Sequence, residues 1–157
     1  MRVGIGYDIH RFDPKRKLIL GGVEIPGGPG LAGHSDADAL LHAIADALLG
    51  AMGEPDLGEL FPDDDPRYKN ADSRQLLEAV HERLVQKGFR IINVDAVIIA
   101  QTPKLAAHKI AIIANIQRLL RLQEHEVNVK AKTAEGLDAI GQSQAIAVHA
   151  VALIDAP

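Results

Sequence analysis

The 157-residue sequence predicts an α/β fold, a single domain with a mixed β-sheet and helices packed on one face. Two patterns predict it. Segments of strand and helix periodicity follow one another as strand, strand, helix, helix, strand, helix, strand, strand. The last of them, residues 145–154, is almost continuously apolar, as in a strand covered on both faces. The length suits one domain with its own core. That core must be aliphatic, because 47% of the residues are hydrophobic and only 3% aromatic.

Residues 2–12 alternate Val3, Ile5, Tyr7 and Ile9 with Gly4, Gly6, Asp8 and His10, the period of a half-buried strand. Asp13-Pro14 turns the chain into the apolar stretch Leu18–Leu20. Gly21-Gly22 and a Pro/Gly cluster at 26–30 break it on either side of Val23–Ile25. Ser35 is expected to cap a first helix, with Asp36 and Asp38 solvated in its first turn and Leu40, Leu41, Ile44, Ala45 and Leu48 apolar. An acidic loop between Gly53 and Asp72 has the length of a lid or binding loop. A second helix spans Ser73–Gln86 and ends at Lys87-Gly88. Residues 89–101 form a strand closed by Pro103, 105–122 a third helix, and 127–133 and 145–154 the last strands. With helices on one face, the far face of the final strand is either capped by loops or, the better expectation, buried in an oligomer.

Composition removes several function classes. With no cysteine there is no disulfide, thiolate metal site or cysteine nucleophile, which leaves histidine and carboxylates as the strong metal ligands. A net charge of −4 without a basic stripe argues against nucleic acid. Without an apolar leader at Met1 or a run of membrane-spanning length, the chain reads as a soluble cytoplasmic protein with no membrane partner.

On a strand, Asp8 and His10 project side by side from the face their neighbours keep bare with glycine. A carboxylate and an imidazole so placed make two corners of a metal site. His42, on the first helix with Asp38 and Asp46 one turn to either side, supplies a third. Three nitrogen and oxygen ligands on Zn²⁺ leave a position open, the catalytic arrangement. His34 and Ser35, at the helix entrance, are donors suited to an anion. Near the C-terminus, Lys130, Lys132 and Thr133 suit phosphate, and Glu135 suits a hard cation such as Mg²⁺. No serine, lysine or cysteine sits in a recognisable nucleophile setting. Metal ligands with phosphate donors point to phosphoryl chemistry, which needs positioning and charge neutralisation.

Gly6-Tyr-Asp8-Ile-His10-Arg-Phe, Gly33-His34-Ser35-Asp-Ala-Asp-x₃-His42, Asp56-Leu-Gly58-x₂-Phe61-Pro-Asp63 and Asn70-Ala-Asp-Ser73 resemble the 2-C-methyl-D-erythritol 2,4-cyclodiphosphate synthase family. Asn93-Val-Asp-x₂-Ile-Ile-Ala100-Gln-x-Pro103-Lys104, His108 and Asn128-Val-Lys-Ala131-Lys-Thr133-x-Glu135 extend the likeness over nearly the whole chain. It implies cyclisation of 4-diphosphocytidyl-2-C-methyl-D-erythritol 2-phosphate with release of CMP, by a homotrimer with active sites between subunits. On matching positions it implies Zn²⁺ on Asp8, His10 and His42, and Mg²⁺ or Mn²⁺ held by Glu135 at the diphosphate. His34 and Thr133 would steady the transition state. Ser35, Asp56 and Gly58 would contact substrate, with Phe61 and Asp63 closing over its methylerythritol part. Ala100, Pro103, Lys104, Leu105 and Ala106, with Ala131 and Lys132, would form the cytidine pocket.

One stretch departs from the family. Ala139 and Gln142 stand where many members have an aromatic residue and an arginine facing the trimer axis, so isoprenoid diphosphate binding there is expected to be weak or absent. Two other readings compete: a metal-dependent phosphohydrolase on a nucleotide-linked substrate, and a non-catalytic trimeric ligand-binding module.

Overall fold

In a computed structural model describing residues 1–62, 64–68 and 70–156, the elements follow as β1 (Arg2–Asp13), β2 (Leu18–Leu20), β3 (Val23–Ile25), β4 (Gly30–Leu31), α1 (Ala39–Met52), α2 (Leu57–Leu60), α3 (Ser73–Gln86), β5 (Arg90–Ile99), α4 (Lys109–Leu120), β6 (Val127–Lys132), α5 (Asp138–Gly141) and β7 (Ala145–Asp155). The main sheet has the order β4-β1-β7-β5-β6. Its strands pair antiparallel except β5 with β6, so the sheet is mixed, as the sequence predicts.

Helix α1 lies across β1 and β7 and is apolar almost all round, which makes it the buried centre of the fold. His42 and Asp46, one turn apart, are its only half-buried polar residues. The helix comes unusually close to β1. A Cβ at Gly4 would lie 2.0 Å from the Ala47 carbonyl oxygen, and one at Gly6 1.9 Å from that of Ala43. Alternation then puts Asp8 and His10 on this same helix-facing side of β1.

The start of α1 corrects the expectation from sequence. Asp38, not Ser35, is the N-cap, accepting from Leu41 N–H, and Ala37 just before it takes a left-handed φ of 58°. Asp38 is fully buried rather than solvated. Its carboxylate also accepts the N–H groups of Gly21 (2.9 Å) and Gly22 (2.6 Å). Those glycines, both at positive φ, make the two-residue turn of the β2–β3 hairpin. One side chain thus ties the hairpin to the helix start. Asp36 is likewise engaged, holding Ser73 at the start of α3.

The acidic loop contains α2 and a 3-10 turn at Pro66–Tyr68, too short to show periodicity in sequence. On the sheet face away from α1, Ile140 of α5 packs with Ala145 and Ala147 and covers one end. The remainder stays open: Val3 (66% exposed), Ile5 (70%), Tyr7 (50%), Ile9 and Val151 all project there. Loop capping and an uncovered apolar face therefore coexist.

Burial pushes the Asp38 carboxyl from 3.8 up to about 6, with Asp36 adding to the rise and the three backbone donors opposing it. A raised acid holds a proton in the folded chain that the unfolded chain has released. Stability from this group is therefore lost as pH climbs from 3.8 to about 6. Asp38→Asn cannot ionise, so in urea titrations the variant is expected to gain on the wild type as pH rises through that window. A flat or reversed difference would contradict the buried acid.

Candidate metal centre

Strand β1 presents Asp8 and His10, and α1 lowers His42 onto them. One ligand atom from each lies within 4.8 Å of the others. Asp8 Oδ2 is 2.9 Å from His10 Nε2 and 3.0 Å from His42 Nδ1. All three side chains are partly buried.

The outward contacts of the two rings decide what points inward. His10 Nδ1 is 2.6 Å from the Ala32 carbonyl oxygen, which can only accept, so Nδ1 carries the proton. In the neutral ring Nε2 is then a bare lone pair; it is buried and has no aligned hydrogen bond among the described residues. His42 Nε2 is met by Ser73 Oγ at 2.8 Å and Ser35 Oγ at 3.2 Å, which leaves Nδ1 for the centre. Burial alone would raise the Asp8 carboxyl, but without a metal, when the two rings are protonated toward it, their hydrogen bonds and charge hold it down at about 2. His10 is reciprocally shifted up by Asp8, against its own burial. Acceptors crowded this closely repel one another unless a cation sits among them. Two imidazoles and a carboxylate are a donor set that fits a divalent transition metal, and three ligands leave coordination positions open.

This triad forms part of a cavity of about 240 Å³. Gly33, His34 and Ser35 line one side; Asp46, Leu57, Gly58, Phe61, Tyr68 and Leu76 complete it. Arg16 braces the first wall by donating to the carbonyls of Gly33 and Ser35. Asp46 secures the second by accepting the Leu57 N–H at 2.8 Å. Burial raises the Asp46 carboxyl, with Asp56 and Asp8 adding to the effect against that hydrogen bond. Phe61 and Tyr68 meet edge to face at 5.3 Å. His34 Nε2 is buried and has no partner among the described residues.

A second cavity, about 190 Å³, opens where β5 and β6 end. It is lined by Ala100, Pro103, Lys104, Leu105, Ala106, Ala131, Lys132 and Thr133 and shares no residue with the first. Thr133 Oγ1 donates to Glu135 Oε1 at 2.5 Å.

The model of the YgbB family matches residues 1–155. The chain belongs to the YgbB family. It is 57% identical over 154 residues to the 2-C-methyl-D-erythritol 2,4-cyclodiphosphate synthase of Dechloromonas aromatica, covering 98% of this chain and 96% of that one. The enzyme of the same name from Nitrosospira multiformis is 54% identical, with 98% and 86% covered. Among solved structures, a 2C-methyl-D-erythritol-2,4-cyclodiphosphate synthase in a CDP-bound form superposes with a TM-score of 0.91 at 38% identity, covering 98% of this chain and all of that one. The bifunctional IspDF of Campylobacter jejuni gives a TM-score of 0.94 at 43% identity, covering 98% of this chain and 42% of that longer one.

Within this YgbB-family fold, Asp8, His10 and His42 meet as the sequence spacing anticipates. His34, Ser35, Gly58 and Phe61 reach the same cavity, whereas Asp56 caps α2 by accepting from Glu59 N–H. Asp63 lies outside the described residues. The expected cytidine-pocket residues gather around the second cavity. Glu135 is bonded to Thr133 there and does not join the triad. Sequence reasoning assigned no role to Ser73, Asp46, Leu57, Tyr68 or Leu76. Ser73 is visible in the sequence only as the start of the second helix and the end of the Asn70-Ala-Asp-Ser73 motif, and its contact with His42 spans 31 residues.

A divalent transition metal added to metal-free protein is expected to raise its unfolding temperature, because ligation favours the folded state. Asp8→Ala should abolish the rise. An equal rise in that variant would put the ion elsewhere.

Proposed function

We propose that this chain is a metal-dependent lyase that converts 4-diphosphocytidyl-2-C-methyl-D-erythritol 2-phosphate into 2-C-methyl-D-erythritol 2,4-cyclodiphosphate and CMP. The observation that carries the proposal is the inward-facing Asp8–His10–His42 triad in a cavity, in a chain more than half identical over its length to enzymes of that name. The reaction belongs to the non-mevalonate isoprenoid pathway and takes place in the cytoplasm.

The chemistry asks for little proton transfer. An oxygen of the substrate's 2-phosphate forms a bond to the adjacent diphosphate phosphorus, and the bond from that phosphorus to CMP breaks. The nucleophile is already anionic and the leaving group is a phosphate, so the protein's task is orientation and charge neutralisation. Asp8, His10 and His42 would hold Zn²⁺, which when bound would offset the charge of the converging phosphates. Glu135 would hold a Mg²⁺ or Mn²⁺, which would offset further phosphate charge. His34 donates to the phosphoryl oxygens, as does Thr133 once its hydroxyl turns from Glu135 to the substrate, and Ser35, Asp56 and Gly58 meet substrate hydroxyls. Phe61 and Asp63 cover the methylerythritol part. Lys104 and Lys132, with the backbone of their neighbours, receive the cytidine diphosphate portion.

The same reading makes the protein a homotrimer. Val3, Ile5, Tyr7, Ile9 and Val151 leave a contiguous apolar sheet face uncovered, the kind of patch that marks a protein–protein contact. The two cavities share no residue, and Glu135 is separate from the triad. Assembly through the sheet faces brings the nucleoside cavity of one subunit beside the metal cavity of the next.

Incubated with the diphosphocytidyl substrate, the metal-loaded protein is expected to yield CMP and the cyclic diphosphate. Asp8→Asn should slow CMP release by about 100-fold or more while the assembly elutes unchanged. A linear phosphate product would mean hydrolysis instead, and an unaffected rate in Asp8→Asn would remove the metal from the mechanism.

A further inference from the structure

Ser73 is 1% exposed and opens α3, yet it does not cap that helix: Asp72 does, accepting from Arg74 N–H. Its hydroxyl is spent elsewhere. Ser73 Oγ donates to Asp36 Oδ1, while the Ser73 N–H donates to Asp36 Oδ2 at 3.0 Å. Asp36 is itself fixed, its N–H on the Ala71 carbonyl and its Oδ1 accepting from Asp38 N–H. A carboxylate only accepts, so the single Ser73 hydroxyl hydrogen is committed to Asp36. Facing His42 Nε2 at 2.8 Å, Ser73 Oγ can then only accept.

We infer that Ser73 and Asp36 are positioning residues that hold His42 in the tautomer protonated on Nε2, with the Nδ1 lone pair turned toward Asp8 and the metal position. The inference rests on the metal-centre reading. The relay has a competitor: Asp8 Oδ2, 3.0 Å from Nδ1, would accept a proton there equally well. A ring protonated on Nδ1 has no lone pair on the nitrogen that faces the metal position. Removing Ser73 leaves only Ser35 Oγ, at 3.2 Å, to oppose that state.

Two variants and two readouts test this on the intact protein. In the metal-free form, NMR of isotope-labelled histidine, at a pH where His42 is neutral, is expected to show the proton on Nε2. Ser73→Ala should shift population to Nδ1. In competition with a coloured chelator, the same variant should bind Zn²⁺ roughly 10- to 100-fold more weakly. Asp36→Asn leaves Ser73 in place but lets an amide donate to its hydroxyl, freeing the hydroxyl hydrogen for Nε2; it should move both readouts in the same direction. A wild-type ring protonated on Nδ1, or variants with unchanged tautomer and affinity, would overturn the relay. Wild-type protein that binds no Zn²⁺ while keeping the Nε2 proton would instead sink the metal reading alone.

Discussion

The approach of α1 to β1 is the constraint on which everything else rests. Carbonyl oxygens of Ala43 and Ala47 occupy the space that a Cβ at Gly6 or Gly4 would fill, so only glycine lets helix and strand come so near. Further along β1 the same face changes from glycine to Asp8 and His10, just where α1 presents His42. A helix held further away by side chains would carry His42 off the triad. The bare glycines and the ligand cluster are therefore two consequences of one alternating strand.

Closeness alone would not make a cation site, because imidazoles and a carboxylate can also simply share protons. The outer contacts separate the two cases. Ala32 fixes the proton of His10 on the far nitrogen, and hydroxyl groups from two different segments meet the far nitrogen of His42. Lone pairs are thus aimed at a common point, and the surrounding structure resists their dispersal. The loops that do this are themselves braced: Arg16 and the backbone of Asn70 and Ala71 hold residues 33–36, and Asp38 locks the helix start to the β2–β3 turn.

Much of this was legible in the sequence, for identifiable reasons. Strand period placed Asp8 and His10 on the glycine face, and α3 was bounded correctly because its apolar spacing and its flanking residues agree. The start of α1 was misread because Ser35, Asp36 and Asp38 are all plausible caps. What decides among them is the left-handed turn at Ala37 and the distant donors of Gly21 and Gly22, neither of which local pattern encodes. Helices α2 and α5 are single turns without periodicity. Ser73 escaped notice because its importance lies in a contact made across the fold. Lys132 and Thr133 carry a phosphate signature of their own, but their gathering with Ala100, Leu105, Ala106 and Ala131 is implied by family resemblance alone, since small apolar residues at strand ends carry no chemical signature.

The most direct test of the convergent site is to ask which atoms hold the ion. A crystal structure of the metal-loaded protein with anomalous scattering at the metal edge would show them. The expected result is a metal on Asp8 Oδ, His10 Nε2 and His42 Nδ1, with Ala32 and Ser73 still on the opposite ring nitrogens. Density at another place, or ligation through His10 Nδ1 or His42 Nε2, would contradict it.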